Sequence, residues 1–140
     1  MVLMDTDHMS LLQRGGAEGR QIRLRLRASP PDDIATSIVS YEEQMRGWLA
    51  RLARMTTPER QIFDYGELKK LLQSYCNFAV LHYGAGASAE FQRLLALKLR
   101  IGTMDMKIAA IALANNAVLL TRNSTDFGKV PNLRTEDWSA

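Results

Sequence analysis

Four acidic side chains fall where an apolar stretch gives way to polar residues. Asp5 follows Val2-Leu3-Met4, Glu43 sits in Tyr41-Glu42-Glu43-Gln44, Asp105 in Gly102-Thr103-Met104-Asp105, and Asp126 in Asn123-Ser124-Thr125-Asp126. Carboxylates are hard oxygen donors, and an α/β fold collects such residues at the carboxyl ends of its strands, so the set suits a divalent cation such as Mg²⁺. Each acid also has a plainer reading. Ser40 to Glu43 fits a capping box in which the glutamate returns to the Ser40 amide, and Asp105, early in a helix, favours the positive end of its dipole. Asp7 and Asp126 could each close a local turn. Asp5 resists such treatment, because an acid directly after a buried strand loses hydration unless positive charge or several donors meet it. His8 and His82 have no metal-ligand spacing to each other or to cysteine, which makes them core or surface histidines.

The elements that must position these acids alternate. Strands are expected at residues 2–4, 34–39, 78–81 and 118–120, each a short apolar run bounded by polar residues. Helices are expected at 9–13, 20–28, from Ser40 to about Arg54, and from the capping box Thr56-Thr57-Pro58-Glu59 to about Tyr75. Two more follow at 89–99 and 104–115, the first led by Gly84 to Ser88 and the second opened by Thr103. Met45, Trp48, Leu49 and Leu52 fall on one face of their helix, and Ile108, Ile111 and Ala112 on one face of theirs. Strand alternating with helix predicts an α/β fold, a central mostly parallel sheet flanked by helices on both faces.

At 140 residues the chain fits a single domain, 1–140, with room for a core. No apolar run approaches the roughly 20 residues that span a bilayer, so a membrane protein is excluded on that pattern. The first residues carry no basic region ahead of their apolar stretch, unlike a signal peptide, and the expected location is the cytoplasm. The single cysteine, Cys76, lies in Tyr75-Cys76-Asn77-Phe78 and is expected to be a buried thiol. The net charge is +3, and its distribution says more than its size. Arg20, Arg23, Arg25 and Arg27 crowd one segment and Arg46, Arg51, Arg54 and Arg60 the next, while Lys98, Arg100, Lys107 and Arg122 flank the later acids. Solvated helix faces account for such runs, and so does a surface that neutralises RNA phosphates around an acidic centre.

Four segments together resemble a known family: Leu3-Met-Asp5-Thr-Asp7-His-Met-Ser, Val39-Ser-Tyr-Glu-Glu43-Gln-Met-Arg-Gly47, Ile101-Gly-Thr-Met-Asp105-Met-Lys, and Leu119-Leu-Thr-Arg-Asn123-Ser-Thr-Asp126-Phe, continuing to Trp138. In order and interval they are similar to the successive motifs of PIN-domain proteins, specifically the VapC-type toxins of toxin–antitoxin pairs. The resemblance implies a PIN fold, an Mg²⁺-dependent endoribonuclease with Mn²⁺ as a substitute, a homodimer, and neutralisation by a VapB-type antitoxin. It matches Asp5 to the family's first acid and Asp105 to its third. Glu43 matches the second better than Glu42, since Gly47 follows it by one helical turn. At the fourth position many members have aspartate where this chain has Asn123, with Asp126 three residues on, so either could complete the metal set. Thr6 and Thr103 are implied to bond the carboxylates or the substrate phosphate, and Arg122 to contact a phosphate. Asp5 and Asp105 then hold the metal, Glu43 ligates it or orients the attacking water, and water attack leaves a 3′-hydroxyl and a 5′-phosphate.

Two other readings stay beside this one. Asp5-Thr6-Asp7 after a strand also resembles the first motif of aspartyl-nucleophile phosphatases, although Met9 stands where that motif wants Thr or Val. A PIN scaffold kept only as a non-catalytic interaction module is the other; the retained Asp5, Glu43 and Asp105 speak against it and the Asn123 departure slightly for it.

Overall fold

The computed structural model describes residues 1–140. Strand β1 (Val2–Met4) leads into helices α1 (Thr6–Arg14) and α2 (Ala17–Arg27), and β2 (Ile34–Ser37) into α3 (Ile38–Arg54) and α4 (Pro58–Tyr75). Then come β3 (Ala79–Leu81), α5 (Ala85–Ala96), α6 (Thr103–Ala114), β4 (Val118–Leu120), the short α7 (Ser124–Phe127) and β5 (Thr135–Glu136). The strands form one sheet in the order β3-β2-β1-β4-β5, parallel at every pairing.

Successive strand residues point to opposite faces, and both faces are covered. Leu3 and Leu119 join Leu94 of α5 and Ile108 and Ile111 of α6 in one core. Met4 and Leu120 join Met9 of α1, Ile22 of α2 and Leu71 of α4 in the other. A sheet buried on both sides needs strands that are apolar throughout, which is why Val2–Met4 and Val118–Leu120 carry no alternation. Gly19 lets α2 approach α1, since a Cβ there would run into the Leu11 carbonyl.

Strand order runs outward from β1 through β2 to β3 on one side and through β4 to β5 on the other. Open α/β sheets bind ligands in the crevice at such a reversal, outside the carboxyl ends of the strands. Asp5 leaves β1 there, its N–H donating to the Leu120 carbonyl of β4 at 3.0 Å.

Several boundaries differ from expectation, each for a local reason. Helix α1 begins at Thr6 because Asp5 itself caps it, and α2 begins at Ala17, three residues before Arg20. The second strand stops at Ser37, whose hydroxyl accepts the Ser40 N–H at 3.0 Å, so Ile38 and Val39 are helical and Ser40 is not the cap. The box expected between Ser40 and Glu43 therefore does not form. Helix α4 starts at Pro58 and ends at Tyr75 as expected, but Thr57 is its N-cap and makes no side-chain capping bond. Helix α5 runs from Ala85 to Ala96, and the chain then takes left-handed turns at Lys98 (φ 52) and Arg100 (φ 57). Strand β5, which pairs with β4, is two residues long, too short to leave a pattern in the sequence. Cys76 is exposed, against the expected buried thiol, because α4 turns Leu71 and Tyr75 inward and Cys76 follows at its end. Leu49 is also largely exposed while Leu52 is buried.

Candidate active site

Asp5 is 5% exposed, and its Oδ1 accepts the His8 N–H at 2.8 Å. The His8 ring is fully buried, with Nδ1 3.5 Å from that same oxygen and Nε2 accepting the Trp138 N–H at 3.2 Å. With Nε2 an acceptor, a neutral ring carries its proton on Nδ1, facing Asp5. His8 is thus the core histidine expected of it, and it ties the C-terminal segment to the end of β1.

Glu43 comes from the second turn of α3 and accepts the Thr6 hydroxyl at 2.6 Å. Its neighbour Glu42 points about 100° away around the helix. There it pairs with Arg46 at 2.6 Å. Asp105 stands in the first turn of α6. Its carboxyl is pushed up to about 6, first by burial and then by repulsion from Glu43, Asp5 and Asp126. Asn123 caps α7, its Oδ1 accepting the Asp126 N–H at 3.2 Å while Nδ2 donates to Asp126 Oδ2 at 3.0 Å. Lys129 lies 3.4 Å from Asp126, and the Asn123 amide together with Lys129 holds the Asp126 carboxyl below the usual range.

Of the eight residues singled out in the sequence, Asp5, Thr6, Glu43, Asp105 and Asn123 line one cavity of about 370 Å³. Asp126, Thr103 and Arg122 are not part of that lining. Thr103 is the exposed first residue of α6. Arg122 is held by Asp7, Nε to Oδ2 at 2.6 Å and Nη2 to Oδ1 at 3.0 Å. Asp7, Ser10 and Phe127 also line the cavity, and sequence reasoning passed over all three as site residues. For Ser10 a signal existed: it lies four residues after Thr6, one turn along the same face of α1.

The cavity collects four carboxylates, of which Arg122 answers only that of Asp7. No three of the chain's Asp, Glu, His or Cys side chains converge closely enough to enclose an ion directly. The donor chemistry nevertheless fits Mg²⁺, which takes one or two carboxylates and keeps several waters, better than it fits Zn²⁺, which favours nitrogen and sulfur. Crowded negative charge around Asp105 is what such a cation would relieve.

A model of the PIN domain family matches residues 2–133. Ribonuclease VapC1 of Haemophilus influenzae is 32% identical over 111 residues, 79% of this chain and 78% of that protein. The tRNA(fMet)-specific endonuclease VapC of Shigella flexneri is 36% identical over 64 residues, 43% of this chain, and the match spans only 48% of that protein's length. The structure of VapBC-1 from nontypeable Haemophilus influenzae superposes with a TM-score of 0.76 at 22% identity, covering 100% of both chains. These matches decide against the aspartyl-nucleophile phosphatase. The chain belongs to the PIN-domain family, and within it to the VapC-type toxins.

Proposed function

We propose that this chain is an Mg²⁺-dependent endoribonuclease, able to use Mn²⁺ instead, that hydrolyses phosphodiesters in structured cellular RNA and is neutralised by a VapB-type antitoxin. One observation carries the reading: Asp5, Glu43 and Asp105, from three distant segments, meet in one cavity at the carboxyl edge of the sheet. The names of the Haemophilus influenzae and Shigella flexneri relatives support the ribonuclease activity. A homodimer working in the cytoplasm completes the proposal; no helix is long and apolar enough to cross a membrane.

Asp5 and Asp105 would hold the ion, which when bound supplies the positive charge that lets a phosphate approach four carboxylates and acidifies a water. Glu43 is fixed by the Thr6 hydroxyl on Oε1, which leaves Oε2 to orient the attacking water and take its proton. Attack of that water on phosphorus forms a new P–O bond and breaks the bond to the 3′ oxygen. That oxygen takes a proton from solvent to leave as a 3′-hydroxyl, while the phosphate stays on the 5′ oxygen of the next nucleotide. With Nε and Nη2 of Arg122 on Asp7, Nη1 is the nitrogen left to reach a phosphate without breaking that pair. The test is cleavage of RNA by the purified chain in Mg²⁺ and its loss in EDTA. A non-catalytic module is the second reading, favoured by the lack of direct three-carboxylate convergence. Folded protein that binds RNA or antitoxin and cleaves nothing in Mg²⁺ would establish it.

The two glutamates separate cleanly. Glu43→Gln is expected to slow cleavage by about a hundredfold to ten-thousandfold, the typical loss of a general base. Glu42→Gln removes only an exposed pair with Arg46 and should stay within about twofold. Rates on a fluorescent RNA measure both, and the reverse order would transfer the role to Glu42.

For the fourth position, Asn123→Asp adds a carboxylate to the cavity lining and should tighten Mg²⁺ binding severalfold. Asp126→Asn should leave affinity nearly unchanged, because Asp126 is already committed to Asn123 and Lys129. Calorimetric titration of Mg²⁺ or Mn²⁺ into both variants decides the point, and a large loss in Asp126→Asn would make Asp126 a ligand.

A further inference from the structure

Helix α1 buries His8, Met9, Leu11 and Leu12, and three of these are apolar. His8 is fully buried at a place where a leucine would pack without carrying a polar atom. Its ring Nδ1 is buried and makes no hydrogen bond. A buried N–H left unpaired carries its full desolvation cost, so packing alone does not account for a histidine here. One acceptor stands within reach. Asp5 Oδ1 lies 3.5 Å from Nδ1 and already accepts the His8 backbone N–H at 2.8 Å.

The far side of the ring decides which nitrogen carries the proton. Nε2 accepts the Trp138 N–H at 3.2 Å, and an accepting nitrogen holds no proton, so the neutral ring is protonated on Nδ1. Asp137 Oδ1, 3.6 Å from Nε2, is the group placed to draw the proton the other way. It is already taken by Ser139, whose N–H donates to it at 2.8 Å and whose hydroxyl donates at 2.6 Å. The Trp138 residue is itself held fast. Its indole Nε1 donates to Glu136 Oε2 at 2.7 Å, and the Arg25 guanidinium carbon lies 5.5 Å from the centre of its ring. Arg25 Nη1 also donates to the Asp137 carbonyl at 3.3 Å, and β5 pairs the start of the segment with β4, the neighbour of β1. A run of fixed groups thus leads from the C-terminal segment through one imidazole to the carboxylate at the end of β1.

We infer that His8 is a positioning residue for the cation of the acidic cavity: its ring Nδ1–H and its backbone N–H hold Asp5 Oδ1, which leaves Oδ2 to the ion. The inference rests on the metal-dependent nuclease reading of that cavity. An aspartate carboxylate turns in a broad torsional well, so an ion that binds it must also fix it. Two donors from one residue, converging on one oxygen, do that fixing before the ion arrives. Outer partners of this kind are worth about tenfold to a hundredfold in metal affinity. The role is exercised through Asp5, and the imidazole itself meets neither ion nor RNA. A histidine kept only for packing would leave unexplained why its unpaired nitrogen faces this acid and why the C-terminal segment fixes its tautomer.

The test is calorimetric titration of Mn²⁺ into the whole chain, beside thermal melts without metal. His8→Leu fills the site with apolar volume and removes the ring donor, and it is expected to raise the Mn²⁺ Kd by about tenfold. His8→Asn keeps a side-chain N–H where Nδ1 stood but cannot accept the Trp138 N–H. It should melt below the wild type and yet bind Mn²⁺ within about threefold of it. Affinity and stability then move independently, which a merely structural histidine does not allow. Cleavage should divide the same way: His8→Leu needs about tenfold more Mg²⁺ for its half-maximal rate and recovers the wild-type rate at saturation. If His8→Leu does not fold, long-range ¹H–¹⁵N spectra of the wild type decide the matter. The His8 ring should be protonated on Nδ1 and accept on Nε2, and its Nδ1 signal should shift on addition of Mg²⁺ while that of the exposed His82 does not. Equal Mn²⁺ affinity in the wild type and His8→Leu overturns the inference and leaves the nuclease reading standing, and so does a His8 ring that is protonated on Nε2 or indifferent to Mg²⁺. A wild type that binds neither cation overturns both.

Discussion

Asp5→Asn is expected to abolish RNA cleavage in Mg²⁺, lowering the single-turnover rate by about a thousandfold or more, while the protein stays folded. The substitution keeps size and shape, and the asparagine Oδ1 can still accept the His8 N–H that caps α1. What disappears is a negative charge at the end of β1, in a crevice where the residue is 5% exposed and water screens little. A thousandfold loss is about 4 kcal/mol of transition-state stabilisation, the scale of removing a preorganised electrostatic group. The assay is single-turnover cleavage beside a thermal melt of the same preparation. A variant that melts like the wild type and keeps more than a tenth of its rate would remove Asp5 from the chemistry and, with it, the centre of the nuclease reading.

In EDTA at pH 7.5, Asp105→Asn is expected to be more stable than the wild type, and the advantage should vanish near pH 4. The Asp105 carboxyl ordinarily titrates near 3.8 and is pushed up to about 6 in the fold by burial and by its acidic neighbours. The folded protein therefore binds more protons than the unfolded chain between those values, so stability falls as pH rises through that window. Above about 6 the cost is fully present, and below about 4 it is absent in both states. Asp105 is only half-buried, so solvent screens part of this cost, and the expected gain is about 1 kcal/mol. Denaturant unfolding of both proteins at the two pH values measures it as a difference of differences, which cancels the other titrating groups. Saturating Mg²⁺ should reverse the ranking, since a ligand that prefers the wild-type site stabilises it by mass action. Equal stability at pH 7.5 without metal would show that the carboxylates do not crowd as their positions imply.

The features legible in the sequence were those that depend on near neighbours along the chain. Val2-Leu3-Met4 and Val118-Leu119-Leu120 are apolar on both faces, which is what a parallel strand covered twice requires, so the sheet class and the place of Asp5 at a strand end could be read directly. Helix α4 starts at Pro58 because proline's fixed φ suits a first turn. Glu43 could be separated from Glu42 by its spacing to Gly47, and the rotation of α3 does turn it into the cavity. Other outcomes hung on partners far away in sequence. Ser37, not Ser40, caps α3, a choice between two hydroxyls three residues apart that β2 makes by ending where its pairing with β3 ends. Asn123 and Asp126 were interchangeable as text, and only the turn of α7 commits Asp126 to Asn123 and Lys129 and leaves Asn123 on the cavity. Arg122 looked free until Asp7, 115 residues away, took two of its three nitrogens. The two arginine clusters stood out in the sequence, but that Arg23, Arg27 and Arg51 line one groove was decided only by the packing of α2 beside α3. Local pattern decides which backbone hydrogen bonds form and which face of an element is apolar. Where each side chain ends up, and whose charge it meets, is decided by how those faces dock, since a helix turns about 100° per residue and a single residue's shift aims the side chain at a different neighbour.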